Sequence, residues 1–288
     1  MRWWIIVLVT SLAVAACSPT SEADPPSTTQ PAPNTSTTQP PADACLGGDL
    51  PFEADGLIAA VGESDADAAR ISQIRWSPGG ECERLVVSFV ADSGSPASTV
   101  GLTGVSVVSF AGIVRVDLPP SITDTAIADM RTDGDIIDRT YVIRDNEGEL
   151  SIDIHGADGV PIAARAFLTS SPATLVIDLA RAVDQGDPVG AAESETTVIV
   201  SPIAGEVLYP FIIESYAQPG LESVRLQIVV DGATIEDRSI TLPAHMTAWQ
   251  RFTVQIDDGP SGAAQIYSGT ADANGRPLDG SRVGVLLP

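Results

Sequence analysis

At 288 residues, 44% of them hydrophobic, the chain holds enough material for more than one packed core and is not wholly disordered. Its 38 acidic residues against 15 basic ones give a formal net charge of −23, which argues against nucleic acid as a partner and leaves no basic face for anionic lipid. Every basic residue other than the two histidines is arginine, and without lysine there can be no Walker A phosphate loop, Schiff base or S-x-x-K acyl enzyme.

The chain opens on an address. Arg2 supplies a positive start, Trp3 to Ala16 an apolar run too short for a stable span, and Val14-Ala15-Ala16-Cys17 a lipobox. Small residues before the cut suit a signal peptidase, and the cysteine after it offers a thiol for diacylglycerol. Residues 1–16 are therefore expected to be a lipoprotein signal peptide. Cys17 is the expected lipidation site, holding the protein to the extracytoplasmic face of the cell membrane. Residues 17–43, rich in Pro, Ser and Thr with no large aliphatic side chain, cannot bury a core and read as a disordered tether reaching up to about 80 Å. With Cys17 lipidated, Cys45 and Cys82 remain as an even pair in an oxidising space and are expected to be bridged.

From Cys45 onward the composition is globular and the pattern is β. Ile71–Trp76 and Arg84–Val90 read as a hairpin about Ser77-Pro78-Gly79-Gly80, and Val105–Phe110 and Ile113–Leu118 as a second pair. Ser121–Met130, with Ser121 as N-cap and Ile122, Ala126, Ile127 and Met130 at helical spacing, predicts a short helix. Arg139–Arg144 and Leu150–His155 flank the turn Asp145-Asn146-Glu147-Gly148. Along the second of these strands Leu150, Ile152 and Ile154 point one way, while Ser151, Asp153 and His155 point to a polar, solvated face. Ile162–Leu168 and Thr174–Leu179 complete the set. Residues 183–195, rich in Ala, Gly and acids, read as a linker, and seven short strands follow between 196 and 288. The expected fold class is all-β, with two β-sandwich domains at 45–182 and 196–288.

Two family resemblances rest on these residues. Arg84-Leu-Val-Val-Ser-Phe89, Gly112-Ile-Val-Arg-Val-Asp-Leu118, the hairpin to His155 and Ala166–Leu179 together resemble an AMIN-like domain, related to the N-terminal part of N-acetylmuramoyl-L-alanine amidases. Ala173-Thr174 stands where that family often has Pro-Arg, so any contact of that arginine does not carry over. Val200-Ser201-Pro202 with Gly205, Trp249–Ile256 and the Gly262–Gly269 region resemble the immunoglobulin-like domain of bacterial spore germination. The resemblances imply non-catalytic envelope modules.

Motifs of catalysis are missing. There is no G-x-S-x-G elbow and no H-E-x-x-H helix, and His155 and His245 read as surface residues. Asp133, Asp135 and Asp138, or Asp145, Glu147 and Glu149, have oxygen-ligand spacing for Ca²⁺ but match no EF-hand loop, and turn solvation is the better reading, so no metal or other cofactor is expected. Because aromatics make up only 5% of the chain, Trp76, Trp249 and Tyr216, with Tyr209, stand out as candidate ligand-stacking residues. A core role is the alternative for the two tryptophans. The expected function is binding, of peptidoglycan or a wall-associated protein. A scaffold of an envelope complex is the alternative, and an acidic wall hydrolase the less favoured one.

Overall fold

The computed structural model describes Cys45 and residues 50–288, apart from 184, 245 and 246, and these fall within one compact unit. The segments expected to be signal peptide and tether, with Cys17, and His245 lie outside the described residues. No helix among the described residues is long and apolar enough to cross a membrane. The structure is built of strands: β1 (Gly56–Val61), β2 (Arg70–Ser77), β3 (Cys82–Val90), β4 (Thr103–Val108), β5 (Ile113–Asp117), β6 (Asp124–Thr125), β7 (Asp129–Arg131), β8 (Ile137–Arg144), β9 (Leu150–Gly156), β10 (Ile162–Thr169) and β11 (Thr174–Arg181). They continue as β12 (Ala192–Glu193), β13 (Thr197–Ser201), β14 (Gly205–Glu206), β15 (Phe211–Ala217), β16 (Ser223–Val230), β17 (Ala233–Thr241), β18 (Trp249–Ile256), β19 (Gly262–Ala271) and β20 (Pro277–Leu287).

The helix expected at Ser121–Met130 does not form. Backbone amides of that stretch pair instead with neighbouring strands, Thr123 N–H to the Ala69 carbonyl and Ala126 N–H to that of Ile71, while the Ala128 carbonyl accepts from Val142. Thr123, Thr125 and two isoleucines make the stretch a weak helix former, and so short an isolated helix is marginal in any case. Pairing with β2 and β8 therefore wins.

Three sheets result. A five-stranded sheet runs β10-β11-β3-β2-β6, and another runs β14-β20-β19-β16-β17. Between them lies a long sheet in the order β1-β4-β5-β9-β8-β18-β15-β13-β12, with β7 also on β8. Alternation along each strand builds two apolar cores. Leu85, Val87 and Phe89 of β3 meet Val114 and Val116 of β5 and Ile152 and Ile154 of β9 in the first. Ile213 of β15, Phe252 of β18 and Leu226 and Ile228 of β16 lie in the second. The sequence Asp231-Gly232 closes the β16–β17 hairpin with both residues at positive φ, 48° and 84°, the geometry a two-residue hairpin turn requires.

The joint between the cores is what positions the polar residues. β8 and β18 pair in parallel through Trp249 with Ile143 and Gln250 with Arg144, so one sheet serves both cores. The sheet then folds back, because side chains of β12, β13, β15 and β18 pack on the outer face of β5-β9-β8. Ile113, Tyr141 and Ile143 form a third cluster there with Val198, Val200, Tyr216 and Trp249. The segment read as a linker takes part, with β12 paired to β13 and Glu193 turned onto β8 and β9.

Candidate functional site

Strand β9 alternates as its sequence says: Leu150, Ile152 and Ile154 enter the first core and Ser151, Asp153 and His155 face the other way. That other face is not solvated. Asp153 is 0% exposed and His155 3%, because β15 and β12 lie over them. The expectation of a surface histidine is thus corrected: period-2 alternation gives the face, and a distant strand decides whether water reaches it.

Asp153 sits opposite Arg115 in register on β5, and takes a two-pronged hydrogen bond from its Nε at 2.9 Å and Nη2 at 2.8 Å. Tyr216 donates its hydroxyl to Asp153 and accepts from Arg115 Nη2 at 2.8 Å, and Glu214 accepts from the same nitrogen at 3.1 Å. Burial alone would raise the Asp153 pKa, but the hydrogen bond and charge of Arg115, the charge of His155 and the Tyr216 hydroxyl more than offset it, leaving it lowered. Burial, reinforced by the Asp153 charge, holds the Tyr216 phenol well above its usual range.

A second constellation adjoins it. Glu193 takes the Tyr141 hydroxyl at 2.7 Å on one oxygen and His155 Nδ1 at 2.6 Å on the other. Burial would raise the Glu193 pKa, and the hydrogen bond and charge of His155, with Tyr141 and Arg139, bring it below normal. Arg139, paired with Asp129, lies over the Tyr141 and Trp249 rings at 4.7 and 5.2 Å. Beside Glu193 and His155 opens a pocket of about 340 Å³, bounded by Ala111 and Gly112, by Gly156 to Gly159 and by Pro188, with Asp138 and Asp158 in its walls.

The outer face of the five-stranded sheet repeats the pattern. Arg165, Asp178 and Arg84 stand in register across β10, β11 and β3. Asp178, 0% exposed, receives Arg84 Nε at 2.6 Å and Nη2 at 2.9 Å, and Arg165 Nε at 3.0 Å. The Cys45 and Leu50 carbonyls accept from Arg165, Phe52 lies against its guanidinium, and Cys45 is disulfide-bonded to Cys82 at the start of β3, as expected.

The candidate ligand-stacking aromatics are not offered to solvent together. Trp249 is 1% exposed and Tyr216 0%, so both serve as interior of the joint, a correction that follows from the strands folded over them. Trp76 is half-buried on β2, its Nε1 donating to Glu83 at 2.9 Å; Tyr209 packs on Phe211 and donates to the Pro260 carbonyl at 3.3 Å. Buried Glu83 also accepts the backbone amides of Ile136 and Ile137, gripping the loop that carries Asp133 and Asp135. Carboxylate oxygens of Asp145, Glu147 and Glu149 come within 4.8 Å of one another, with Asp145 Oδ1 already accepting two turn amides, those of Glu147 and Glu149.

Glu193, Glu214 and Arg115 were not among the sequence candidates. The available signal was a run of arginines and acids at like parity on neighbouring strands. Glu193 lay in a stretch whose composition reads as linker. In comparison with known proteins, the chain matches no family model, and no curated protein matches it.

Proposed function

We propose that this chain is a lipid-anchored, non-enzymatic protein of the cell envelope that binds peptidoglycan or a wall-associated partner. In this reading a tether lifts off the membrane two β-sandwich modules, one similar to AMIN-like domains at 45–182 and one similar to the germination immunoglobulin-like domain at 196–288. The observation that carries it is the Cys45–Cys82 bridge, which belongs to an oxidising compartment and ties Cys45, which follows the Pro/Thr stretch in sequence, to β3. The use made of the buried ionisable groups supports binding over chemistry: Asp153 and Asp178 are occupied by arginines, and Glu193 by Tyr141 and His155.

Three experiments test it. Full-length protein in detergent, incubated with isolated sacculi, is expected to sediment with them at low and moderate salt; no retention overturns the peptidoglycan version. Crosslinking in intact cells that captures partner proteins without glycan replaces it with a scaffold role. Cys17→Ser is expected to release the protein from the membrane fraction, and unchanged membrane retention would sink the anchor.

A further inference from the structure

We propose that the pocket beside His155 and Glu193 is a binding site for a primary ammonium carried on an aliphatic stem, such as the side chain of a basic residue in a peptide. The inference rests on the binding reading above and supplies its ligand class. Three carboxylates, Asp138, Asp158 and Glu193, stand in the walls, and no arginine is among the lining residues. The remaining lining is glycine, alanine and proline, which leaves room for a narrow stem and lets it approach the backbone closely. Asp138 sits at a bulge, where the β8–β9 register shifts between Ile137 and Arg139; bulges redirect side chains in this way.

The second observation is His155 itself. It lines the pocket, is 3% exposed, and its Nε2 has no hydrogen-bond partner among the described residues. Glu193, ionised with its lowered pKa, can only accept, so Nδ1 carries the shared hydrogen. Above the pH range in which the ring is charged it carries that hydrogen alone, and Nε2 is then a buried acceptor without a donor; such a group costs free energy until a donor reaches it. An ammonium has three donors and the charge that the carboxylates call for. A metal ion suits the pocket less well. The groups of three convergent ligands among the described residues lie elsewhere, at Asp145, Glu147 and Glu149 and at Cys45, Cys82 and Asp178. The volume falls within the range of small-ligand sites. The chain has no lysine of its own to fill it.

The test is calorimetric titration of the full-length protein in detergent with Nα-acetyl-L-lysine amide, beside the same probe acetylated on its side-chain nitrogen. The charged probe is expected to bind at least tenfold more tightly than the acetylated one, and its affinity to fall at least tenfold in the Asp138→Asn, Asp158→Asn double variant. Both aspartates are exposed, so an unchanged unfolding temperature should confirm that the variant folds. Equal binding of the two probes, undiminished binding by the variant, absence of binding, or displacement by Ca²⁺ at equal concentration would each overturn the site. Probe binding without sacculus retention keeps the site and removes the wall reading. Sacculus retention with no probe binding does the reverse.

Discussion

Two outer sheet faces of this chain carry the same device under different covers. On β10-β11-β3 the in-register trio Arg165, Asp178 and Arg84 lies beneath Phe52 and the Cys45 and Leu50 carbonyls, a stretch pinned by a disulfide. On β5-β9 the pair Arg115 and Asp153 lies beneath Tyr216 and Glu214, side chains of a strand that belongs mainly to the other core. In both places the aspartate is fully withdrawn from water while its arginine partner keeps some exposure. The difference lies in the lid: a covalent staple in the first case, a folded β-strand with its own hydrophobic attachments in the second. A sheet face of alternating polar residues is therefore not by itself a solvent face. Once the charges are paired in register, the chain can close such a face with whatever segment topology brings there.

The comparison breaks most severely if either aspartate is removed. Asp178→Ala takes from Arg84 and Arg165 the carboxylate they share, and Asp153→Ala leaves Arg115 with Glu214 as its remaining carboxylate; each is expected to cost ~3–5 kcal/mol, since one partner of a buried pair is removed. Urea unfolding checks this. A loss under 1 kcal/mol at both sites would mean that the exposed part of each guanidinium satisfies it without the aspartate.

Opening the covalent lid comes next. Replacing Cys45 and Cys82 by alanine is expected to cost roughly 2–5 kcal/mol, as loss of a native bridge commonly does. In hydrogen exchange the amides of β10 and β11 should lose protection, while those of β15 and β18 should not. Loss of protection across both cores alike would show that the two lids are not independent.

The non-covalent lid is tested more gently by Tyr216→Phe. The ring stays in its cluster, but Asp153 loses a donor and Arg115 an acceptor, at about 1–3 kcal/mol for a buried polar group left short of a partner. Loss of these two bonds is also expected to weaken the joint between cores, visible as a less cooperative unfolding transition.

Acid probes the joint without mutation. Asp153 and Glu193 both have folded-state pKa values lowered from the ordinary 3.8 and 4.5, so the stability they contribute is fully present above those values. It is lost as pH falls below them and through the folded values, where protonation discharges the carboxylates. Stability contributed by these two groups should hold steady from pH 7 to about pH 5 and fall toward pH 3. Glu193→Gln is expected to shallow that acid limb, because one of the two titrating groups is gone. An acid limb identical in wild type and variant would place the proton uptake elsewhere.

Much of this architecture is legible in the residues, and the illegible parts share a cause. The hairpin about Asp145–Gly148 and the parity of Leu150, Ile152 and Ile154 follow from local rules that act within a few residues. The failure at Ser121–Met130 came from backbone amides and a carbonyl claimed by Ala69, β2 and β8, and the failure at His155 from β12 laid over it from 38 residues away. Trp249 and Tyr216 misled for the same reason, as scarce aromatics whose burial depends on which strands fold back. Composition likewise hides Glu193, whose neighbours are small and polar while its own carboxylate closes the joint. What sequence spacing does not carry is the identity of the segment that covers a polar face.

The smallest expected effect is the control that separates charge from cover. Arg238 and Glu236 on β17 make a bidentate pair, Nε to Oε1 at 2.9 Å and Nη2 to Oε2 at 2.6 Å, as well formed as those of the buried aspartates. Their side chains are 44% and 28% exposed, on the edge strand of the β14-β20-β19-β16-β17 sheet, where nothing among the described residues lies over them as β15 lies over Asp153. Arg238→Ala is expected to change stability by at most ~1 kcal/mol, because an exposed pair gains little over its own hydration and is screened by salt. If urea unfolding gave a loss as large as that of Asp153→Ala, ion-pair geometry alone would set the energetics. The strand and the staple over the two buried aspartates would then be incidental, and the contrast between covered and uncovered pairs would fall.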